Sequence, residues 1–305
     1  MARPRGGKGL AAGLLAGLLA ACAGPVSDRA PGSERVMSTT APNRAREDIP
    51  VMVGKPEGPG PFPAVVIMHD CSGLGPRSSG APGRWARELG AHGYVTVIPD
   101  SFTTRGYPDG VCTDASPSRG EVAPSRRVRD AYAALAHARA LPYVAGRRVG
   151  LMGGSHGGST TLASMAAPQN AWDLLAREKR AGFAAAVALY PGCGVALGTW
   201  RADGTGTYRS VAPLLILIGE KDDWTPAAPC VKLAASTRAT EHPVAITVYP
   251  GAHHSFDSDR PVRFVGARVN SNAPGGRGAT TGGDATAWAD SIRRVVEFFG
   301  ERLTP

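Results

Sequence analysis

The sequence predicts an α/β fold, a mainly parallel sheet covered by helices on both faces. Three observations carry this. Six short apolar runs lack the polar–apolar alternation of a strand with one wet face, so they read as strands buried on both sides. Amphipathic segments of helical spacing stand between or after them, and a strand–helix–strand crossover joins parallel neighbours. The chain has 305 residues, 43% of them apolar, enough for one large core, and no internal repeat or second domain is visible.

The first element is not part of that core. Arg3, Arg5 and Lys8 precede a twelve-residue apolar stretch, Leu10 to Ala21, which is too short to span a bilayer at 1.5 Å per residue and reads as an export signal. It ends in Leu19-Ala20-Ala21-Cys22, which resembles the bacterial lipoprotein signal and makes Cys22 the expected lipidated residue. The other reading is an ordinary signal peptide cut after Ala21-Cys22-Ala23. An aspartate after the cysteine tends to retain lipoproteins in the inner membrane. Ala23 stands there instead, so an outer-membrane anchor is expected. Residues 23–45 are rich in Pro, Ser and small polar residues without periodicity, and are expected to form a flexible tether. The α/β domain is expected over residues 46–305.

Within the domain the expected strands are 64–69, 94–100, 148–153, 184–190, 214–219 and 244–250. The expected helices are 83–93, 125–141, 156–166 and 285–303. Residues 257–284, ending in NAPGGRGATTGGD, read as a long loop. The formal charge is +9, and loss of the leader's three cations leaves 9 − 3 = +6. The remaining arginines are scattered among acidic residues, without the basic stripe interleaved with aromatics that a nucleic-acid groove needs, so no nucleic-acid partner is expected.

The segment RVGLMGGSHGGST runs from an apolar strand directly into a helix. Within it, Gly153-Gly154-Ser155-His156-Gly157 matches G-x-S-x-G. In that turn the serine backbone is strained so that its hydroxyl stands above the sheet, and side chains two residues away on either side collide. The helix N-terminus that begins there offers free N–H groups and the positive end of the helix dipole. G-x-G-x-x-G and Gly-Lys-Ser/Thr are both absent from this turn, which leaves a serine nucleophile rather than a dinucleotide or phosphate loop.

A serine needs a base, oriented by a carboxylate, in the chain order Ser, Asp, His. The strand LLILIG runs into EKDDWTP, and VAITVYP runs into GAHHSF, so Asp222 or Asp223 and His253 or His254 collect at the carboxyl edge of the sheet. The two adjacent histidines point apart and no ligand partner is spaced to join them, so no metal is expected. The oxyanion hole needs two N–H donors. His156, after the nucleophile, supplies one, and the loop HDCSGLG supplies the other, taken as Cys71. Asp70 beside such a hole either caps the following turn or tunes the nucleophile.

Together, HDCSGLG, VIPDSFTTRG, GGSHGG, LYPGC, LIGEKDDWTPAAPC and YPGAHHSFD resemble the dienelactone hydrolase family of the α/β-hydrolase superfamily, over most of residues 50–300. The resemblance implies an α/β-hydrolase fold. Its pattern G-x-x-D-x-x-x-P selects Asp222, and HSF selects His254. In the best-known members the nucleophile is cysteine, with an acidic residue at the position of Asp70. Ser155 departs from that, pointing to a serine esterase. Arginines near the family's site hold a substrate carboxylate, and Arg105 sits near such a position. Tyr107 and Trp224 could line an apolar pocket.

Export makes disulfides expected for the remaining four cysteines, whose spacing is not that of a zinc site. Three connectivities are possible. Cys71–Cys112 and Cys193–Cys230 are favoured because each joins segments that the fold brings side by side. The expected activity is hydrolysis of a small ester or lactone through an acyl-enzyme, without a cofactor. The alternatives are a peptidase or amidase with the same triad, and a non-catalytic envelope binding protein. Oligomeric state is not legible.

Overall fold

The computed structural model describes residues 1–2, 34–38, 47–168 and 182–303. Cys22, and nearly all of the leader and tether expected around it, lie outside the described residues.

Eight strands form the main sheet: β1 (Glu34–Ser38), β2 (Glu47–Gly54), β3 (Phe62–Met68), β4 (Val95–Pro99), β5 (Val144–Gly154), β6 (Ala186–Leu189), β7 (Leu214–Gly219) and β8 (Ala245–Tyr249). They lie in the order β1-β2-β4-β3-β5-β6-β7-β8. The six from β4 to β8 are parallel, and β1 and β2 join antiparallel at one edge. The α-helices are α1 (Ala81–Ala91), α2 (Pro124–Ala140), α3 (His156–Met165), α4 (Ala227–Ser236) and α5 (Ala285–Leu303). This is the expected mainly parallel α/β sheet.

The strand positions follow from burial. β4, β6 and β7 are buried at every residue, as apolar runs between two helical layers must be. Helix α5 turns a buried stripe of Ala287, Ser291, Val295, Phe298 and Phe299 to the sheet, the three-to-four spacing of an amphipathic helix. Its Phe299 packs where a Cβ on Gly150 would come within 2.7 Å of the ring.

Besides β2 and α4, which form where no strand or helix was expected, two stretches differ from expectation. Five residues of the expected tether, Glu34–Ser38, pair with Val51 through Glu47 as the edge strand β1. The expected loop 257–284 contains a hairpin, β9 (Arg263–Val269) with β10 (Arg277–Thr281). β1 is an antiparallel edge of the main sheet, and the hairpin is a separate two-stranded antiparallel sheet. β9 keeps much of its surface in water, with Phe264 69% exposed, so neither carries the continuous apolar run that marks a buried strand. The hairpin is fastened by polar contacts: Thr280 N–H donates to Asp223 Oδ1 at 2.8 Å, and Asn270 Nδ2 donates to Asp223 O at 3.0 Å.

Cys71–Cys112 and Cys193–Cys230 are both bonded. The first ties the loop after β3 to the segment before α2, and the second ties the loop after β6 to α4. Two such bonds fit a protein exported to an oxidising compartment. No helix among the described residues is long and apolar enough to cross a membrane. The Cys193–Cys230 bond closes a separation of 37 residues. Replacing both cysteines by serine is therefore expected to cost about 3–4 kcal/mol, read as a lower urea midpoint with an unchanged far-UV spectrum. An unchanged midpoint would show that this bond does not restrain the unfolded chain.

Candidate active site

Ser155 sits between β5 and α3 with φ 53° and ψ −116°, the strained turn that lifts its hydroxyl above the sheet. The flanking glycines are needed by contact as well as by pattern. A Cβ on Gly153 would lie 2.5 Å from the Gly157 backbone, and one on Gly157 would lie 2.0 Å from Met68 O. Ser155 N–H donates to Leu189 O at 2.9 Å, and its own carbonyl accepts from Ser159 N–H at 2.8 Å, fixing the turn between β6 and the first turn of α3.

Two loops at the same sheet edge bring the partners. The Ser155 hydroxyl lies 2.9 Å from His254 Nε2, and His254 Nδ1 lies 2.8 Å from Asp222 Oδ2. Asp222 and His254 are buried, at 4% and 1% exposure. The other Asp222 oxygen, Oδ1, accepts Trp224 N–H at 3.0 Å and Thr225 N–H at 2.8 Å. Donors that converge in this way hold a carboxylate in one orientation. The imidazole is held between aromatic rings, with Tyr190 and Trp224 centroids each 4.8 Å away. Asp223 is exposed and serves the hairpin, while His253 is turned to Lys221 O at 3.1 Å. Of each adjacent pair, the structure brings Asp222 and His254 to Ser155.

A cavity of about 500 Å³ opens over Ser155, lined among others by Cys71, Cys112, His156, Arg119 and Trp224. Backbone amides of Cys71 and His156 flank it, and neither finds an acceptor among the described residues. The Cys71–Cys112 bond is therefore part of the wall of the cavity.

The substrate contact expected of Arg105 is not made, and of the two roles expected of Asp70 the cap is the one found. Arg105 is not at the cavity: its guanidinium forks onto Asp130 at 2.6 and 2.9 Å, also reaches Glu47 at 2.5 Å, and is 5% exposed. A buried cation with two carboxylates is committed to the fold. Asp70 is not among the cavity's lining residues either. Its Oδ1 accepts Ser72 N–H at 2.7 Å and the Ser72 hydroxyl at 2.5 Å, and its Oδ2 accepts the Ser79 hydroxyl. It caps the turn after β3, an Asx-type role. Tyr107 packs against the Cys71, Phe102 and Cys112 cluster, as does Trp224, which also lines the cavity.

The residues that the motifs did not reveal are Arg127 and Thr225. Fully buried Arg127 donates from Nη1 to His156 Nδ1 at 2.7 Å and from Nη2 to His69 O at 2.9 Å. Burial lowers its pKa to about 10, so it remains charged at neutral pH. Its sequence signal is its place four and eight residues before Ala131 and Leu135, on the buried stripe of α2. Thr225 sets its hydroxyl 3.0 Å from His254 Nδ1, 2.9 Å from Asp222 Oδ2 and 3.0 Å from Tyr190 O.

Because Arg127 donates to Nδ1, the His156 ring carries its proton on Nε2 and is neutral. His69 is likewise neutral, since its Nε2 accepts Ser101 N–H at 3.1 Å and its Nδ1 donates to Asp70 O at 2.8 Å. Burial first, and then the Arg127 charge, hold both rings well below the ordinary histidine pKa. A folded-state pKa below the unfolded one gives stability that is complete above about pH 6.5 and lost as the pH falls through it, because the unfolded chain takes up protons that the native state refuses. We expect the urea midpoint to be flat above pH 7. Below pH 6.5 the loss should approach about 1.4 kcal/mol per pH unit from His69, with His156 adding in the same direction. A midpoint unchanged down to pH 5 would contradict the neutral assignment.

This strand order, with a serine at the strained turn between a central parallel strand and a helix, defines the α/β-hydrolase class. The dienelactone hydrolase family pattern matches residues 49–303, and the chain belongs to that family. As such it is a hydrolase acting on ester bonds. Solved structures agree on the fold. A Klebsiella pneumoniae protein assigned as a dienelactone hydrolase superposes with TM-score 0.61 at 20% identity, covering 90% of this chain and 100% of that one. A dienelactone hydrolase-like promiscuous phosphotriesterase from metagenomic libraries gives 0.59 at 21% identity, covering 88% and 97%. Esterase 2 of Thermogutta terrifontis gives 0.61 at 17% identity, covering 90% and 95%. No curated protein sequence matches the chain.

Proposed function

We propose that this protein hydrolyses a small ester or lactone through an acyl-enzyme on Ser155. His254 Nε2 takes the serine proton as Oγ attacks the substrate carbonyl, and Asp222 holds the imidazole with its Nδ1 proton inward. The Cys71 and His156 amides receive the tetrahedral oxyanion. Collapse breaks the bond to the leaving oxygen, which takes the proton from His254. Water then enters, gives a proton to the same base as its oxygen adds to the acyl carbonyl, and collapse breaks the bond to Ser155 Oγ, which takes that proton back from His254 as the acid leaves. No cofactor takes part in these steps.

The observation that carries this reading is the unbroken path from the Ser155 hydroxyl to Asp222, at 2.9 and 2.8 Å. The cavity volume lies in the range of small-molecule sites. Trp224, Thr225 and Arg119 are shared with an adjoining cavity of about 220 Å³, which gives a second compartment for the far side of the ester. The leader and Cys22 support export with a lipid anchor, and Ala23 favours the outer membrane.

The test is a screen of p-nitrophenyl esters of graded chain length, together with lactones and p-nitroanilides, on protein lacking residues 1–22. We expect turnover of short esters or lactones and much slower anilide cleavage. Preferred anilide cleavage would make the protein an amidase, and no turnover of any class would favour a binding role.

A further inference from the structure

A second concave site lies beside the segment that follows His254. Its cavity, about 60 Å³, is enclosed by the turn after β3, the start of α1, the segment after His254, and the β9–β10 hairpin. It shares no lining residue with the cavity over Ser155. Five guanidinium side chains line it: Arg77, Arg84, Arg260, Arg263 and Arg268.

The counter-charges present do not balance them. Among the described lining residues Asp257 is the sole acid, and both its oxygens are taken, by Trp85 Nε1–H and by the Tyr190 hydroxyl, each at 2.8 Å; Asp70, bonded to the lining residues Ser72 and Ser79, adds one carboxylate that acts on Arg268. Burial pushes the Asp257 pKa upward. Arg77 faces Asp109 at 3.7 Å and Arg84 faces Asp259 at 3.5 Å, but in each pair the acid is more than half exposed, where ion pairing is weak. No ion pair joins Arg260, Arg263 or Arg268 to an acid among the described residues.

Two guanidinium groups also hold a buried N–H with no acceptor among the described residues, Arg84 Nη2 and Arg268 Nε. An unpaired buried donor is costly, more so when it is charged. The rest of Arg84 is fixed, with Nε donating to Asp257 O at 3.1 Å and Nη1 to Ser79 O at 3.2 Å. Arg268 is held with its guanidinium 5.1 Å above the Trp224 ring. Both side chains are thus held in place where five cations converge on one cavity, a setting that favours an oxyanion.

We propose that this cavity binds a phosphoryl group. Its volume is several times the roughly 10–15 Å³ that admits one water, room for one small oxyanion and not for the remainder of a phosphomonoester. Guanidinium forks match phosphate oxygens in pairs, and a dianion meets several donors where a carboxylate satisfies few. The group belongs either to free phosphate or to the headgroup of an anionic lipid.

The test is isothermal titration of the purified protein with inorganic phosphate at constant ionic strength, chloride being the control. Saturable binding by phosphate and not chloride is expected. The double variant Arg260→Gln/Arg263→Gln should weaken it about tenfold or more. Both residues are exposed, so the fold should persist, checked by an unchanged melting temperature without phosphate. Arg293→Gln on the outer face of α5 should change nothing. Vesicles of phosphatidylcholine with one-fifth phosphatidic acid separate the sources. Vesicle binding lost in the double variant assigns the lipid headgroup, and phosphate binding without vesicle binding assigns the free ion. Absence of phosphate and vesicle binding, or binding of equal strength in the double variant, would overturn the site.

Discussion

Ser155→Ala is expected to lower kcat on esters by about 10⁴–10⁶-fold while leaving the protein folded. The hydroxyl lies against His254 Nε2 at 2.9 Å and makes no other hydrogen bond among the described residues. Its removal therefore deletes the attacking atom without orphaning a structural partner. Alanine can take over the backbone because the strained turn is held by Gly153, Gly157 and the bond to Leu189 O. The residual rate should come from the amides of Cys71 and His156 acting on a bound ester. Loss of less than about tenfold, in protein shown by spectroscopy to be native, would mean that chemistry occurs elsewhere.

Asp222→Asn and Asp223→Asn differ by one residue and should differ by about three orders of magnitude in kcat. Asp222 is buried, 2.8 Å from His254 Nδ1, and accepts two backbone N–H groups on its other oxygen. An asparagine there presents either an N–H to Nδ1 or its oxygen at the expense of those donors, and the imidazole tautomer needed for base catalysis is lost. We expect about 10³–10⁴-fold slower turnover. Asp223 instead accepts Thr280 N–H across to the hairpin, and an asparagine oxygen can do the same. Its variant should stay within about threefold in kcat. Larger loss at Asp223 than at Asp222 would reverse the assignment of the acid.

The parallel core was legible because strands such as β6 and β7 are buried on both faces and must be apolar throughout. The elbow was legible because its geometry excludes side chains at Gly153 and Gly157, and that exclusion is written as glycine. The loops carrying Asp222 and His254 followed from the same rule that gathers functional groups at one sheet edge.

What stayed hidden shares one cause, since a charged residue does not announce its partner. Arg105 stood near the site in sequence, yet its carboxylates come from 25 residues ahead and 58 residues behind. For Asp70 the cap was one of two legible roles, and what stayed hidden was that Ser79, nine residues on, takes its second oxygen. Arg127 reads as one of three arginines in SRRVRD, and only its helical phase with Ala131 and Leu135 sends it inward. The hairpin β9–β10 was hidden because a surface strand held by Asp223 and Asn270 needs no apolar run.

The most direct measurement is the rate and position of fluorophosphonate labelling in folded protein, read by peptide mass spectrometry, with His254→Ala alongside. The account predicts a single adduct on Ser155 that forms rapidly in the native protein, about a hundredfold or more slower without the imidazole, and not at all after unfolding. An adduct on another residue, or labelling of Ser155 at the same rate in the His254 variant, would contradict it.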